Sequence, residues 1–278
     1  MPEISKNKFI WGSRTYSMGI INVTPDSFSN DGIPNDIEKI QKKAIFFESL
    51  GTDIIDVGGE STRPPKIYGN LTPVNEDQEI KRVIPAIKAI KEVVSIPISI
   101  DSYKPIVAEK ALTAGASIVN NVWATKNNDR MNSLLSEQKP VVILMHNQQH
   151  SNYVNVVDEV FNSLNHLVEK TLKLGIEPDK IIIDPGIGFG KTTQHNLTIL
   201  RNLEKFKKLN QPLLIGTSRK STIGNVLNLP TNDRIEGTAA SIAISISKGA
   251  DIIRVHDIKE MNRVAKMSDA IIRGWDIG

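Results

Sequence analysis

The sequence predicts a single α/β domain, a barrel of eight parallel strands each followed by helical material, on three observations. Eight short Ile/Val-rich runs follow one another, at 18–23, 53–57, 97–101, 117–122, 141–145, 181–184, 212–216 and 251–255. Amphipathic stretches separate them. No linker rich in Pro, Ser or Gly divides the 278 residues, and barrels of this kind need about 250.

The runs are near-continuously apolar, as parallel strands covered on both faces require. Between the first two, Ile37, Ile40, Ala44 and Phe47 repeat at helical spacing, predicting a helix over 37–50, and Ile80, Ile84, Ile87 and Val94 do so later. One signature recurs three times, as Leu50-Gly51-Thr52-Asp53, Ala114-Gly115-Ala116-Ser117 and Lys248-Gly249-Ala250-Asp251. Each puts a glycine where a helix ends in a left-handed residue and then enters a strand directly. Ahead of the first strand, residues 8–16 are expected to form a small hairpin. After the second, Pro64, Pro65, Gly69 and Pro73 mark a loop. The expected architecture is a single (β/α)8 TIM barrel over residues 1–278, with a short N-terminal hairpin at the barrel bottom.

Composition narrows the function. With 40% hydrophobic and 23% charged residues the chain has ample core material, which excludes disorder as its main state. The absence of cysteine removes disulfide frameworks, thiolate metal sites and cysteine nucleophiles. A net charge of +3 with interspersed signs gives no basic stripe, so no nucleic-acid partner is expected. No apolar run approaches a membrane span, and Met1-Pro2-Glu3-Ile4-Ser5-Lys6 does not begin a leader, so a cytoplasmic location is expected. Histidines 146, 150, 166, 195 and 256 show no zinc spacing, and no G-x-S-x-G elbow is present. The glycine-rich Asp184–Thr192 stretch is no P-loop, because proline stands where the first glycine should be. It reads instead as a loop that lets backbone approach a flat ligand.

In such barrels the working face lies at the strands' C-terminal ends. Here those ends carry Asn22, Asp56 onward to Arg63, Asp101, Asn120, Met145-His146, Asp184, Ser218-Arg219-Lys220 and Arg254-Val255-His256. Two groups stand out. Arg254 and His256, two apart on one strand, leave on the same side, and strand eight closes against strand one, bringing Asn22 near. An arginine fork beside a helix start suits an anion. Singly, Arg254 could pair with a neighbouring acid and His256 could cap the last helix; the trio beside Asn22 favours a site. The second group is Asp101, Asn120, Asp184 and Lys220. A carboxylate can accept two parallel bonds from an amidine-like edge, and an amide offers donor beside acceptor. Either aspartate alone could cap a turn, but four inward polar groups together demand ligand, water or mutual pairing.

With these residues laid out, the chain resembles the dihydropteroate synthase family over essentially its whole length. Met18-Gly19-Ile20-Ile21-Asn22-Val23-Thr24-Pro25-Asp26-Ser27-Phe28-Ser29 and Asp56-Val57-Gly58-Gly59-Glu60-Ser61-Thr62-Arg63-Pro64 carry most of the signal. Ser99-Ile100-Asp101-Ser102, Leu144-Met145-His146, Asp184–Lys191, Ser218-Arg219-Lys220-Ser221 and Arg254-Val255-His256 support it. The resemblance implies a transferase of folate biosynthesis, a sulfonamide target, that joins p-aminobenzoate to 6-hydroxymethyl-7,8-dihydropterin diphosphate with release of pyrophosphate. It implies that Asp101, Asn120, Asp184 and Lys220 hold the pterin, with Met145 and Phe189 lining its pocket. Arg254, His256 and Asn22 would hold the diphosphate, Asn22 through Mg2+. Thr62, Arg63, Pro64, Phe28, Lys220 and Ser221 would frame the aminobenzoate. Lys220, Arg254, His256 and Asp101 are the expected catalytic set, carbon–oxygen cleavage running ahead of attack. A homodimer is expected from the same resemblance. Loops 24–36 and 58–74 are expected to close over the site and to be mobile when it is empty.

The chain also departs from the family pattern. Its first loop reads Asp26-Ser27-Phe28-Ser29-Asn30-Asp31-Gly32, one residue longer than D-S-F-S-D-G, so either Asn30 or Asp31 takes the family acid's place. Asn121 stands where an aspartate is usual, which removes a charge beside the expected pterin pocket. Residues 66–70 lengthen the second loop. A methyltetrahydrofolate-dependent methyltransferase barrel is disfavoured by the S-R-K-S and R-V-H pieces. A non-catalytic pterin-binding relative is disfavoured because Lys220, Arg254 and Asn22 are all present.

Overall fold

The computed structural model describes residues 3–4, 7–24, 36–60, 74–124 and 128–275. Eight parallel strands form the sheet: β3 (Tyr16–Asn22), β4 (Ile54–Gly58), β5 (Ile98–Asp101), β6 (Ile118–Asn121), β7 (Val141–Met145), β8 (Ile181–Asp184), β9 (Leu214–Ile215) and β10 (Ile252–Val255). Each pairs with its chain neighbour, and β10 returns to β3 with Ile252 opposite Tyr16. The ring closes between β8 and β9 through a parallel bridge from Ile183 to Leu213. Ile183 N–H also donates to Pro212 O at 3.0 Å.

Helices α1 (Ile37–Ser49), α2 (Glu76–Val93), α3 (Pro105–Ala114), α4 (Asp129–Gln138), α5 (Val156–Lys173), α6 (Thr193–Arg201), α7 (Ser221–Leu227), α8 (Ile235–Ser247) and α9 (Ile258–Arg273) wrap the sheet. Two of their starts carry reciprocal capping boxes, Asn75 with Gln78 at α2 and Thr192 with His195 at α6. Gly51, Gly115 and Gly249 all have positive φ, and so end α1, α3 and α8 in the left-handed turn that the repeated signature predicts.

Strand periodicity divides the core in two. Outward residues such as Ile21, Val57, Ile100, Val119, Leu144, Ile183 and Val255 pack with the helices in one cluster. Inward residues at the lower half of the barrel, Met18, Ile54, Ile118, Ile143, Ile182, Leu214 and Ile252, form a second cluster with Ile4, Phe9 and Tyr16. Both faces are buried, which is why the strands read as unbroken apolar runs.

The N-terminal hairpin is present but sits earlier than expected. Its strands are β1 (Glu3–Ile4) and β2 (Asn7–Lys8). Tyr16 is committed to the barrel, its N–H bonding Asp251 O at 2.8 Å, so it cannot pair with Lys8. Residues 10–13 instead make a turn closed by Ser13 N–H on Ile10 O, and the rings of Phe9, Trp11 and Tyr16 stack below the barrel.

Candidate active site

The inward positions of the same strands change character halfway up. Above Ile54 comes Asp56; above Ile118, Asn120; above Ile143, Met145; above Ile182, Asp184; above Ile252, Arg254; and Ser99 is followed by Asp101. Register sets these side by side, Asp101 opposite Asn120 and Met145 opposite Asp184. A polar tier thus sits on an apolar plug at the C-terminal mouth.

Arg254 organises the tier. Its Nε donates to Asp56 Oδ2 at 2.6 Å and its Nη2 to Asp101 Oδ2 at 2.8 Å. Asn120 Nδ2 donates to the same Asp56 oxygen at 3.3 Å. Burial opposes the guanidinium charge, but the two carboxylates outweigh it and hold the Arg254 pKa above its ordinary value. Asp101 is pushed up to about 7 by burial, with Arg254 opposing and Asp56 reinforcing. Oδ1 of Asp56 and Oδ1 of Asp101 are buried with no partner among the described residues. Buried acceptors left unpaired are costly, so they are sites for a ligand's donors.

The remaining groups converge on this pair. A Cβ built on Gly58 would lie 3.5 Å from Asn22 Oδ1 and 3.8 Å from Asp101 Oδ2, so Asn22 and Asp101 share one gap. A Cβ on Gly216 would lie 3.7 Å from Arg254 Cβ and 3.9 Å from Lys220 Nζ, which puts the lysine next to the arginine. Lys220 also donates to Ile187 O, and its ammonium lies 4.6 Å from the centre of the Phe189 ring. Asp184 is buried, its Oδ1 accepting from Gly186 N–H at 2.7 Å; burial raises its pKa while Lys220 opposes. Ser221 opens α7 immediately after Lys220. His256 stands further round, its Nδ1 2.9 Å from Ser218 Oγ, which also accepts from His256 N–H at 3.2 Å.

Asp101, Asn120, Asp184, Lys220, Arg254, Met145, Phe189 and Asn22 are therefore gathered at one mouth. Phe28, Thr62, Arg63 and Pro64 lie outside the described residues, as do Asn30, Asp31, residues 66–70 and most of loops 24–36 and 58–74. The two expected groups adjoin: Arg254, assigned to the anion end, is bonded to Asp101 at the heterocycle end. Asp101 does not cap α3, whose cap position is Lys104 without a side-chain bond. Asn121 falls on the opposite face from Asn120, where its Oδ1 accepts Trp123 N–H at 3.1 Å. The acid missing at 121 is thus not a gap in the inward tier.

Three residues that the sequence places at the mouth or in its loops were given no role of their own there. Asp56 was legible as an inward position by its parity with Ile54. Arg219 has a left-handed backbone, φ 57°, unusual for a residue with a side chain. Its guanidinium forks onto Asp257 at 3.0 and 2.5 Å, and its own N–H and C=O bond Thr238 and Arg234. This fixed turn aims Lys220. Lys191, buried behind the glycine-rich loop, is the third.

Residues 18–256 match the family described as pterin binding enzyme. Among curated relatives, dihydropteroate synthase of Clostridium beijerinckii is 47% identical over 98% of this chain and 99% of its own. That of Bacillus subtilis is 44% identical over 93% and 89%. Among solved structures, dihydropteroate synthase from Clostridium difficile in the presence of pteroic acid superposes with a TM-score of 0.89 at 44% identity, covering 96% of this chain and 100% of that one. The Xanthomonas albilineans enzyme with 4-aminobenzoic acid gives 0.85 at 34%, covering 93% of each. By sequence along its length and by the polar tier that its strands build, the chain belongs to the dihydropteroate synthase family of pterin-binding enzymes.

Proposed function

We propose that this chain condenses p-aminobenzoate with 6-hydroxymethyl-7,8-dihydropterin diphosphate, giving 7,8-dihydropteroate and pyrophosphate. The observation that carries the reading is the Asp101–Arg254–Asp56 bridge with Lys220 and Asp184 beside it. Unpaired carboxylate oxygens match the amino and ring N–H donors of a pterin's pyrimidine edge, and Asn120 complements them with an amide. Phe189 and Met145 supply flat apolar walls.

Arg254, Lys220 and His256 are the cationic and N–H donors available to the diphosphate. His256, with Nδ1 held 2.9 Å from Ser218 Oγ, would turn its ring toward a phosphate oxygen as an N–H donor. Electrostatic stabilisation of the departing pyrophosphate is the main demand, because its charge develops as the carbon–oxygen bond breaks. Electron release from the dihydropterin ring stabilises the exocyclic methylene cation. The neutral aniline nitrogen attacks it and then sheds its proton, so no strong general base is needed.

The donor set also fits Mg2+, which favours oxygen ligands and is held through one or two protein groups plus phosphates and water. Asn22 Oδ1 and the Asp101 carboxylate face the same gap, and no group of three or more His, Asp or Glu placed to hold an ion exists among the described residues. Asn22 would hold the ion, the remaining ligands coming from the diphosphate and water. When bound, the ion neutralises charge on the leaving group. The proposal includes a cytoplasmic homodimer, supported by the family resemblance and the cysteine-free sequence.

The test is pyrophosphate release from the pterin diphosphate, with and without p-aminobenzoate and Mg2+. Release that requires all three supports the reading. Purified protein that binds the pterin substrate and releases no pyrophosphate would overturn it.

A further inference from the structure

Lys191 is buried, yet no carboxylate is among its hydrogen-bond partners within the described residues. Its Nζ lies 2.9 Å from His146 Nδ1, 2.9 Å from Phe189 O and 3.0 Å from Gly186 O, with His146 O at 3.4 Å. Three close acceptors meet the three N–H bonds of one ammonium. Burial, with the Lys191 charge next, pushes His146 down to about 3, so the imidazole is neutral and its Nδ1 can accept. Burial likewise pushes Lys191 down to about 7, Asp184 opposing and Lys220 reinforcing.

What this lysine holds is the loop from Asp184 to Lys191. Gly186, Gly188 and Gly190 all have positive φ, so the loop has no regular ladder of its own. Its shape depends on side chains that reach in. Asn196 Oδ1 takes Gly188 N–H at 2.9 Å, Tyr153 Oη donates to Gly190 O at 3.0 Å, and Lys191 gathers Gly186 and Phe189 from the centre. The loop in turn presents Ile187 O and the Phe189 ring to Lys220. On its other flank, His146 follows Met145 directly, and its N–H bonds Asp184 O at 2.9 Å.

We propose that Lys191, with His146 Nδ1 as its acceptor, is a positioning residue for the reaction: from behind the pocket it sets the glycine-rich turn that orients Lys220 and Phe189. It touches no substrate and acts through those two residues. The inference deepens the proposed activity and rests on it. Because Phe189 and the pterin end of the site depend on this loop, the loss on removing Lys191 falls more on the pterin substrate than on the aminobenzoate that Lys220 also frames.

The experiment compares wild type, Lys191→Met, His146→Leu, His146→Asn, Lys220→Ala and the Lys191→Met/Lys220→Ala double variant. A misplacement of about 1 Å can cost on the order of 100-fold, so Lys191→Met should lose about 30-fold in kcat/KM for the pterin diphosphate. The KM for p-aminobenzoate should change less than that for the pterin diphosphate and no more than in Lys220→Ala, a split that general loosening would not produce. His146→Leu should show a weaker loss of the same kind. His146→Asn, which can put an acceptor near the Nδ1 position, should keep at least about half the activity. The double variant should lose far less than the product of the two single losses, because both act through one ammonium. Multiplicative losses, or equal damage to both substrates, would overturn the proposal. If Lys191→Met does not fold, the His146 pair decides alone, equal activity of Leu and Asn overturning it. Hydrogen exchange at the Gly188 and Phe189 amides of the ligand-free protein separates this inference from the proposed activity. Faster exchange in Lys191→Met or His146→Leu supports the positioning role whether or not pyrophosphate is released, and unchanged exchange sinks it.

Discussion

Arg254 Nη2 donates to Asp101 Oδ2 at 2.8 Å, joining strand ends 153 residues apart. The same guanidinium binds Asp56, so one cation neutralises two buried acids while standing next to Lys220. Removing it therefore does two things. Arg254→Ala leaves two carboxylates facing each other in the barrel and strips the mouth of its phosphate-matched fork. We expect kcat/KM for the pterin diphosphate to fall by about 100-fold or more. Arg254→Lys should recover only part of this, because a point charge cannot bridge both acids as a planar fork does. Steady-state kinetics of the two variants check it. An Arg254→Ala enzyme within about threefold of wild type would remove Arg254 from the site.

Asp101 gives the pH dependence. Burial pushes its pKa up to about 7, against 3.8 for an unperturbed aspartate. In this window the folded protein holds a proton that the unfolded chain has lost. By linkage, this contribution to stability is complete below the unfolded value and is lost as pH rises through the folded one. Urea midpoints should therefore decline between pH 4 and 7 by an amount that Asp101→Asn abolishes. Ligand binding runs the other way, since only the ionised carboxylate accepts from both pterin donors. The wild-type kcat/KM for the pterin diphosphate should thus fall below pH 7, and that limb should be missing from the weak residual activity of Asp101→Asn.

How much of this was readable beforehand follows from what spacing can and cannot encode. All eight strands and the three glycine-ended helices were legible because local periodicity and left-handed turns leave local traces. Asp101, Asn120, Asp184 and Arg254 were legible as strand ends. Their partners were not, because the bond between Asp56 and Arg254 crosses the barrel over 198 residues of sequence and parity alone does not name the acid that takes an arginine. That Arg254 of the anion group bonds Asp101 of the heterocycle group was hidden for the same reason. The hairpin was misplaced because Tyr16 looks equally at home in a hairpin or a barrel strand, and only the Asp251 contact decides.

Arg219 tests whether the turn before α7 matters. Its left-handed backbone costs about 1–2 kcal/mol for a residue with a Cβ, and the fork onto Asp257 holds it there. Arg219→Ala keeps the strained φ and loses the fork. We expect a stability loss of about 1–3 kcal/mol and a kcat/KM loss of about 10-fold or more as Lys220 loses its aim. Asp257→Asn should behave alike, and the double variant little worse than either. Additive losses in chemical denaturation and kinetics would show that the pair does not act as a unit.

Gly186 and Gly12 separate two costs that usually arrive together. Both have positive φ, 71° and 83°. A Cβ on Gly12 meets nothing within 4 Å, so Gly12→Ala bears only the conformational penalty, about 1–2 kcal/mol. A Cβ on Gly186 would fall 2.0 Å from His146 O and 3.3 Å from Lys191 Nζ. His146 O is backbone of the segment leaving β7, and it cannot swing aside as a side chain would. Gly186→Ala must therefore shift the loop or the strand end, at a cost of about 3 kcal/mol or more. It must also disturb the turn that Asp184 caps through Gly186 N–H. Activity divides the two variants: Gly12→Ala, below the barrel, should keep wild-type kinetics at a lower unfolding midpoint, whereas Gly186→Ala should lose about 100-fold in kcat/KM at temperatures where it remains folded. Equal unfolding midpoints for the two variants would mean that the contact with His146 is relieved without strain.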